Sequence, residues 1–291
     1  MEENAASKLG YDPREKLLIL HADDVGMCHS VNAATFERLS DGSVSSASIM
    51  APCPWALEAA EFFKENKGFD VGAHSTLTSE WRFYRWRPLT AGSTLLDELG
   101  YLPRSSKEVA AKASASDVLA ELDGQVEWLK ARDVELSHLD THMGAVYTRA
   151  DLLKAYLQVA ERHGLLPMVP RLTPELAEAA RAQGLPVEEL SGTVEEVPFK
   201  LDLLVASVPG RSLDERIKAF KAALRSLKPG SVSQVIVHLG LDTDELRYII
   251  GERYVDRVLD YMVVGSSDVK AEIEKLGIRL IGWRDVAEAL K

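Results

Sequence analysis

The chain of 291 residues carries 45 acidic against 34 basic side chains, a formal net charge of −11 and a pI near 5.2. That balance argues against nucleic acid or an anionic membrane surface as partner, since both attract cationic proteins. Hydrophobic content of 46% and charged content of 27% are those of an ordinary globular protein, long enough for one α/β barrel of about 250 residues or for two smaller domains. The two cysteines, Cys28 and Cys53, cannot staple a chain of this length, and their number suits a reducing cytoplasm. Residues 1–16 are polar, lack the apolar core of a signal peptide and read as a flexible N-terminal arm. No run approaches the roughly 20 apolar residues of a membrane span.

Residues 17–26, LLILHADDVG, begin the ordered pattern. The unbroken apolar run Leu17–Leu20 predicts a strand buried on both faces, and it ends in His21, Asp23, Asp24 and Gly26. Neighbouring side chains on a strand point to opposite faces, so Asp23 and Asp24 are expected to have different partners. Taken alone, the stretch reads equally well as a helix N-cap followed by a turn. A helix over 31–40 capped by Ser30 follows, then a strand over 44–50, a helix over 55–66 closed by Gly68, and a strand over 69–74 ending at His74. Residues 80–101 are irregular and rich in aromatics. A helix over 115–131 leads to a strand over 134–139 and the cluster His138, Asp140, His142. Beyond it the pattern predicts a helix over 149–163, a short strand at 168–169 and a helix over 174–183. Residues 192–203 carry no clear pattern. A helix over 213–227, a strand over 233–239 containing His238, helices over 253–263 and 267–276, a strand over 278–281 and a helix over 283–290 complete the chain.

Strands alternating with helices imply a mainly parallel sheet with right-handed crossovers. The polar clusters fall at strand ends, where α/β folds keep their chemistry. Five of the seven histidines lie in them: His21, His74, His138, His142 and His238. A closed or nearly closed barrel gathers those ends on one face, whereas an open sheet spreads them along a line. The expected fold is therefore an irregular or incomplete (β/α) TIM-like barrel, a single domain over 17–291. No phosphate-binding glycine motif is present in the sequence.

Two neutral imidazoles and a carboxylate form a common catalytic set for a divalent metal, with open positions for water or substrate. A metal so held polarises a carbonyl, and hydrolysis further needs a base for water and an acid for the leaving group. One Asp of the pair as base, the other as ligand and a histidine as acid meet those needs. On an extended strand His138, Asp140 and His142 share a face, and His138 then supports a ligand from behind instead of binding. Cys28 lies near the acids, which raise a thiol pKa, so it is not expected to be a nucleophile.

HADDVG (21–26), VGAHSTLT (71–78), SHLDTHMG (137–144) and VIVHLG (235–240) together resemble the YdjC-like carbohydrate deacetylases, relatives of the polysaccharide deacetylases with an irregular (β/α) barrel. The resemblance implies Asp23 as general base, Asp24, His74 and His142 as metal ligands, and His238 as general acid. The family's Pro-Gly after that last histidine is Leu239-Gly240 here. The cofactor implied is one divalent metal ion, Zn2+ or Mg2+: the ligand types suit zinc, and the family is associated with magnesium. Met143 and Gly144 follow His142 where the family often carries further histidines, which singles out His142. His138 and Asp140 are then partners of the ligands. His21 stands where the family usually has Asn and is read as a barrel-interior packing residue in preference to a polar wall of the pocket. Arg171 matches a family arginine expected to contact substrate or orient an aspartate, with a surface salt bridge as the other reading.

The segment EWRFYRWRP (80–88) is the expected specificity loop, with Glu80, Trp81 and Trp86 as substrate-binding residues, because flat aromatic faces stack on sugar rings. A satellite hydrophobic cluster under a long loop is the other reading. The expected function is a cytoplasmic, metal-dependent hydrolase that removes N-acetyl groups from an amino sugar or short oligosaccharide. Its expected partner is the acetylated amino-sugar substrate, and a homodimer is compatible with the sequence. The alternatives are a non-catalytic sugar-binding protein on the same barrel, or an amidase or esterase acting on a non-sugar acyl substrate.

Overall fold

A computed structural model describes residues 4–291. Its strands are β1 (Lys16–Val25), β2 (Ser46–Ile49), β3 (Val71–Ser75), β4 (His138–Thr141), β5 (Leu166–Pro167), β6 (Leu203–Val205), β7 (Val232–Val237) and β8 (Ile278–Leu280). They form one eight-stranded sheet in the order β5-β4-β3-β2-β1-β7-β6, with β8 added against the start of β1. The pairings between named strands are parallel, and the helices lie in the crossovers, as the alternation of the sequence predicts. The sheet curls into an incomplete barrel whose two ends meet at one isolated bridge, Pro170–Leu201. There the Leu201 N–H donates to the Val169 carbonyl at 3.0 Å and the Arg171 N–H to the Leu201 carbonyl at 2.8 Å.

The parity of β1 divides the core. Leu17 to Leu20 are fully buried. Leu18, Leu20 and Ala22 join the large apolar cluster under the helices, while Leu17 and Ile19 join a second cluster with Met168, Phe199, Leu201, Val232 and Trp283. Alternation along a strand assigns the first set to the helix layer and the second to the barrel interior. The same parity carries His21 and Asp23 inward above that apolar plug. The barrel is thus filled by apolar side chains at the start of its strands and by polar ones at their ends. Each fully buried Leu or Ile in the plug contributes about 1.5–3 kcal/mol.

Several expectations are corrected. Residues 4–15, expected to be a loose arm, are packed: the helix Ala5–Lys8 buries Ala6, Leu9 is buried beside it, and the Ala6 N–H donates to the Gly230 carbonyl at 3.0 Å. A few apolar residues in a polar stretch suffice to cap the plug from below. Residues 1–3 of that arm lie outside the described residues. The helix His29–Ser40 starts after Cys28 and not after Ser30, whose hydroxyl donates to the Leu241 carbonyl at 2.7 Å instead of capping. The strand expected at 134–139 lies at His138–Thr141. The unassigned region resolves into the end of a helix, Val187–Glu195, and the approach to β6. Among the described residues no helix is long and apolar enough to cross a membrane.

If the interior plug holds the barrel together, Ile19→Ala lowers unfolding free energy by about 2–5 kcal/mol. Leu57→Ala, at a position 55% exposed, changes it by less than about 0.5 kcal/mol. Chemical denaturation of the two variants checks this, and equal losses would remove the plug from its role.

Candidate functional site

Between Ala22 and Val25 the chain advances three residues while β2 advances two, from Ala47 to Ile49. The extra residue is a β-bulge, and Asp24 within it has φ +67°, a left-handed conformation unusual outside glycine. The expectation that Asp23 and Asp24 face opposite ways fails here, because it assumed an extended strand. Both carboxylates turn toward His74: Asp24 Oδ1 lies 3.3 Å and Asp23 Oδ2 3.9 Å from its Nε2. Gly26, at φ +92°, then carries the chain out of the strand where a Cβ would meet the Ala56 Cα at 3.0 Å.

Asp24 Oδ1 also lies 3.0 Å from His142 Nδ1, and it has no hydrogen-bond partner among the described residues although it is buried. Asp24, His74 and His142 form a cluster able to hold a metal ion. Each histidine is gripped from its other side. Asp140 Oδ1 lies 2.7 Å from His74 Nδ1, a contact set by strand register, since His74 and Asp140 are paired across β3 and β4. Ser48 Oγ donates to the other Asp140 oxygen at 2.8 Å. Glu80 Oε1 lies 3.0 Å from His142 Nε2 and also accepts from the Thr78 hydroxyl. Carboxylates on the remote nitrogens leave the facing nitrogens for a common centre.

Burial pushes the Asp24 pKa up, but the Arg257 guanidinium and then His142 reverse this and hold it well below the usual carboxylate range. Burial lowers both imidazoles, yet Asp140 and Asp23 raise His74 well above its ordinary value, and Glu80 and Asp24 raise His142 to about 9. Arg257 donates to Asp24 Oδ2. It sits on the helix Tyr254–Val264, and Gly240 leaves room for it, since a Cβ there would lie 3.1 Å from the Arg257 Cβ. Sequence reasoning missed Arg257. Its signal was present: Asp256, Arg257 and Asp260 are the charged residues of an otherwise apolar helix, and Arg257 is buried.

His238 follows β7, beside Asp23 by register, and its Nε2 lies 4.0 Å from Asp23 Oδ2. Its N–H donates to Asp260 at 3.0 Å, and Asp260 in turn accepts from Arg216 at 2.7 Å. The backbone is therefore anchored while the imidazole remains about a third exposed at the mouth. His138 is not in the Asp24 cluster; its Nε2 lies 2.9 Å from His21 Nε2, deeper in the barrel.

Two assignments are overturned. Arg171 pairs with Asp202 at 3.1 Å, and Asp202 accepts from the N–H of Val232, the first residue of β7, so this salt bridge lies at the opposite end of the barrel from His238. Trp86 is 3% exposed and donates from Nε1 to the Thr78 carbonyl at 2.8 Å, so it offers no face to a sugar. It is a core residue under the loop. Trp81 is half-buried against the core, and Phe83, 69% exposed with the Arg82 guanidinium 4.7 Å above its ring, is the loop's exposed aromatic. Glu80 faces a histidine rather than open solvent. Burial pushes the Cys28 thiol up to about 12, in keeping with the expectation that it is not a nucleophile.

Residues 17–275 match the family described as YdjC-like protein. A carbohydrate deacetylase from Thermus thermophilus is 35% identical over 286 residues, covering 97% of this chain and 98% of that protein. A chitooligosaccharide deacetylase from Yersinia enterocolitica is 28% identical over 279 residues, covering 93% and 99%. A solved structure from Enterococcus faecalis V583 superposes with a TM-score of 0.77 at 22% identity, covering 94% of this chain and 99% of that one, which supports the fold.

Because Trp86 is packed, Trp86→Ala costs about 3–5 kcal/mol of stability. Phe83→Ala, at an exposed site, leaves stability within about 0.5 kcal/mol. Thermal or chemical unfolding of both variants tests the pair, and a fully stable Trp86→Ala protein would return that residue to the binding surface.

Proposed function

The chain belongs to the YdjC-like family, and we propose that it is a carbohydrate deacetylase in which Asp24, His74 and His142 hold one divalent metal ion while Asp23 and His238 move protons. One observation carries this reading. Asp24 Oδ1, buried and without a hydrogen-bond partner among the described residues, faces two imidazole nitrogens at 3.0 and 3.3 Å whose rings are gripped from behind by carboxylates. Such a pocket wants a cation. Two nitrogens and one oxygen suit zinc by ligand type, whereas magnesium asks for more oxygen.

An ion bound there supplies Lewis-acid polarisation of the acyl carbonyl. The chain's own residues do the rest. Asp23 Oδ2, 3.9 Å from His74 Nε2, accepts a proton from the attacking water. The amide C–N bond then breaks, and His238, 4.0 Å from the same Asp23 oxygen, donates a proton to the leaving amine. Arg257 holds Asp24 in place and ionised, the task the sequence had suggested for Arg171. Glu80 is reassigned from the substrate to His142. In this reading Trp81 and the exposed Phe83, on the loop that follows β3, contribute the aromatic surface that stacks on the sugar. A purely sugar-binding module has no use for a base, an acid and three converging donors, which favours the enzyme.

Replacing Asp24, His74 or His142 by Ala should strip the metal as measured by elemental analysis, whereas His138→Ala keeps it. Metal lost with His138 and kept without His142 would mean the ligand is misassigned. Asp23→Asn should fold, hold metal and bind sugar yet lose about 10²–10⁴-fold in turnover, read as acetate release from N-acetylglucosamine oligomers. Unchanged turnover with metal bound sinks the base assignment.

A further inference from the structure

The barrel interior holds a polar chain that the proposed reaction does not use directly. Asp23 Oδ1 lies 2.7 Å from His21 Nδ1, His21 Nε2 lies 2.9 Å from His138 Nε2, and His138 Nδ1 lies 2.9 Å from Ser137 Oγ, which donates to the Val71 carbonyl at 3.2 Å. One assignment of hydrogens satisfies every member. His21 donates from both nitrogens, His138 accepts at Nε2 and donates from Nδ1 to Ser137, and the Ser137 hydroxyl ends on the backbone. We propose that His21 and His138 are a buried brace that holds the Asp23 carboxylate in its working orientation, so that both are positioning residues of the deacetylation.

The site is built for this chain. His21 and His138 are fully buried. A Cβ on Gly72 would lie 2.5 Å from the His138 ring, so the glycine of β3 is what admits that imidazole. Trp283 stacks on His138 at 5.3 Å and 19°, and its Nε1 is held by Gln234 Oε1 at 2.9 Å. Packing alone gives no reason to bury two imidazoles and a hydroxyl here, because apolar side chains would fill the same space without desolvating polar groups. The brace takes one oxygen of Asp23 and leaves Oδ2 turned to the reaction space, 3.9 Å from His74 and 4.0 Å from His238. Without it the carboxylate is free to rotate toward His74 and compete with Asp24 for that nitrogen. Asp23, Asp140 at 3.7 Å and His138 face His21, so its positive form has two carboxylates to meet it, against which the charge on His74 acts. Burial pushes the His21 pKa down, but Asp23 and Asp140 turn the net shift upward, whereas burial and the charge on His21 push His138 down to about 3, which makes it the acceptor of the pair.

The inference rests on Asp23 as base, and the test separates the two. An Asn side chain places its NH2 where His21 Nδ1 lies and so keeps the bond to Asp23. A Gln side chain reaches toward His138 and leaves Asp23 unheld, and Leu loses both. With metal content and KM within about twofold of the parent protein, His21→Leu and His21→Gln should lower kcat by about 10–100-fold, the range for residues that orient others, and His21→Asn should recover most of it. Equal kcat for Asn and Leu, or values that follow thermal stability alone, would overturn the brace, as would loss of metal in all three. If Asp23→Asn keeps full turnover, the base reading falls before the brace is at issue. Should the His21 variants prove insoluble, Ser137→Ala decides. It removes only the far end of the chain, and a fall in kcat at constant KM supports the brace while parental kcat overturns it.

Discussion

The left-handed backbone at Asp24 is the constraint on which the site depends. Two successive residues of a strand cannot both face the barrel interior unless the alternation is broken, and the bulge between Ala22 and Val25 breaks it. Holding a non-glycine residue at φ +67° costs about 1–3 kcal/mol. The surroundings over-determine it: Arg257 grips the Asp24 carboxylate, the Met27 N–H donates to the Asp24 carbonyl at 3.1 Å, and the Gly26 N–H donates to Asn32 at 2.6 Å. Strain held in this way at the mouth of a barrel brings two carboxylates to one imidazole.

Concentrating acids in a buried space is costly unless each is met by a cation. Asp23 is met by His21, Asp24 by Arg257 and the two facing histidines, Asp140 by His74, and Glu80 by His142. Those carboxylates outweigh burial at His21, His74 and His142 and raise the pKa of each. The apolar plug of Leu17, Ile19, Val232 and Trp283 lies beneath these polar groups.

Much of this was legible in the chain itself. Strand ends rich in His and Asp, read with the alternation of strands and helices, led to an incomplete barrel, and the same motifs selected the residues that the fold gathers at its mouth. The misreadings have particular causes. Trp86 and Phe83 belong to one loop and look alike as aromatics, but only packing distinguishes a core indole from an exposed ring. Arg171 and Arg257 each reach an aspartate, and which of them reaches Asp24 depends on the end of the barrel to which its element brings it. His21 read as packing because a single histidine in an apolar run says nothing of a second imidazole 117 positions away.

Local chemistry and periodicity are properties of a sequence, so strand β1, its burial on both faces and the identity of the acids and imidazoles at strand ends followed from it alone. Contacts between distant segments are not. The register that seats His74 against Asp140, the helix that delivers Arg257 to Asp24 and the space left by Gly72 for His138 were decided by the curled geometry of the sheet. Each depends on two or more elements meeting at a fixed distance, which only the folded chain specifies.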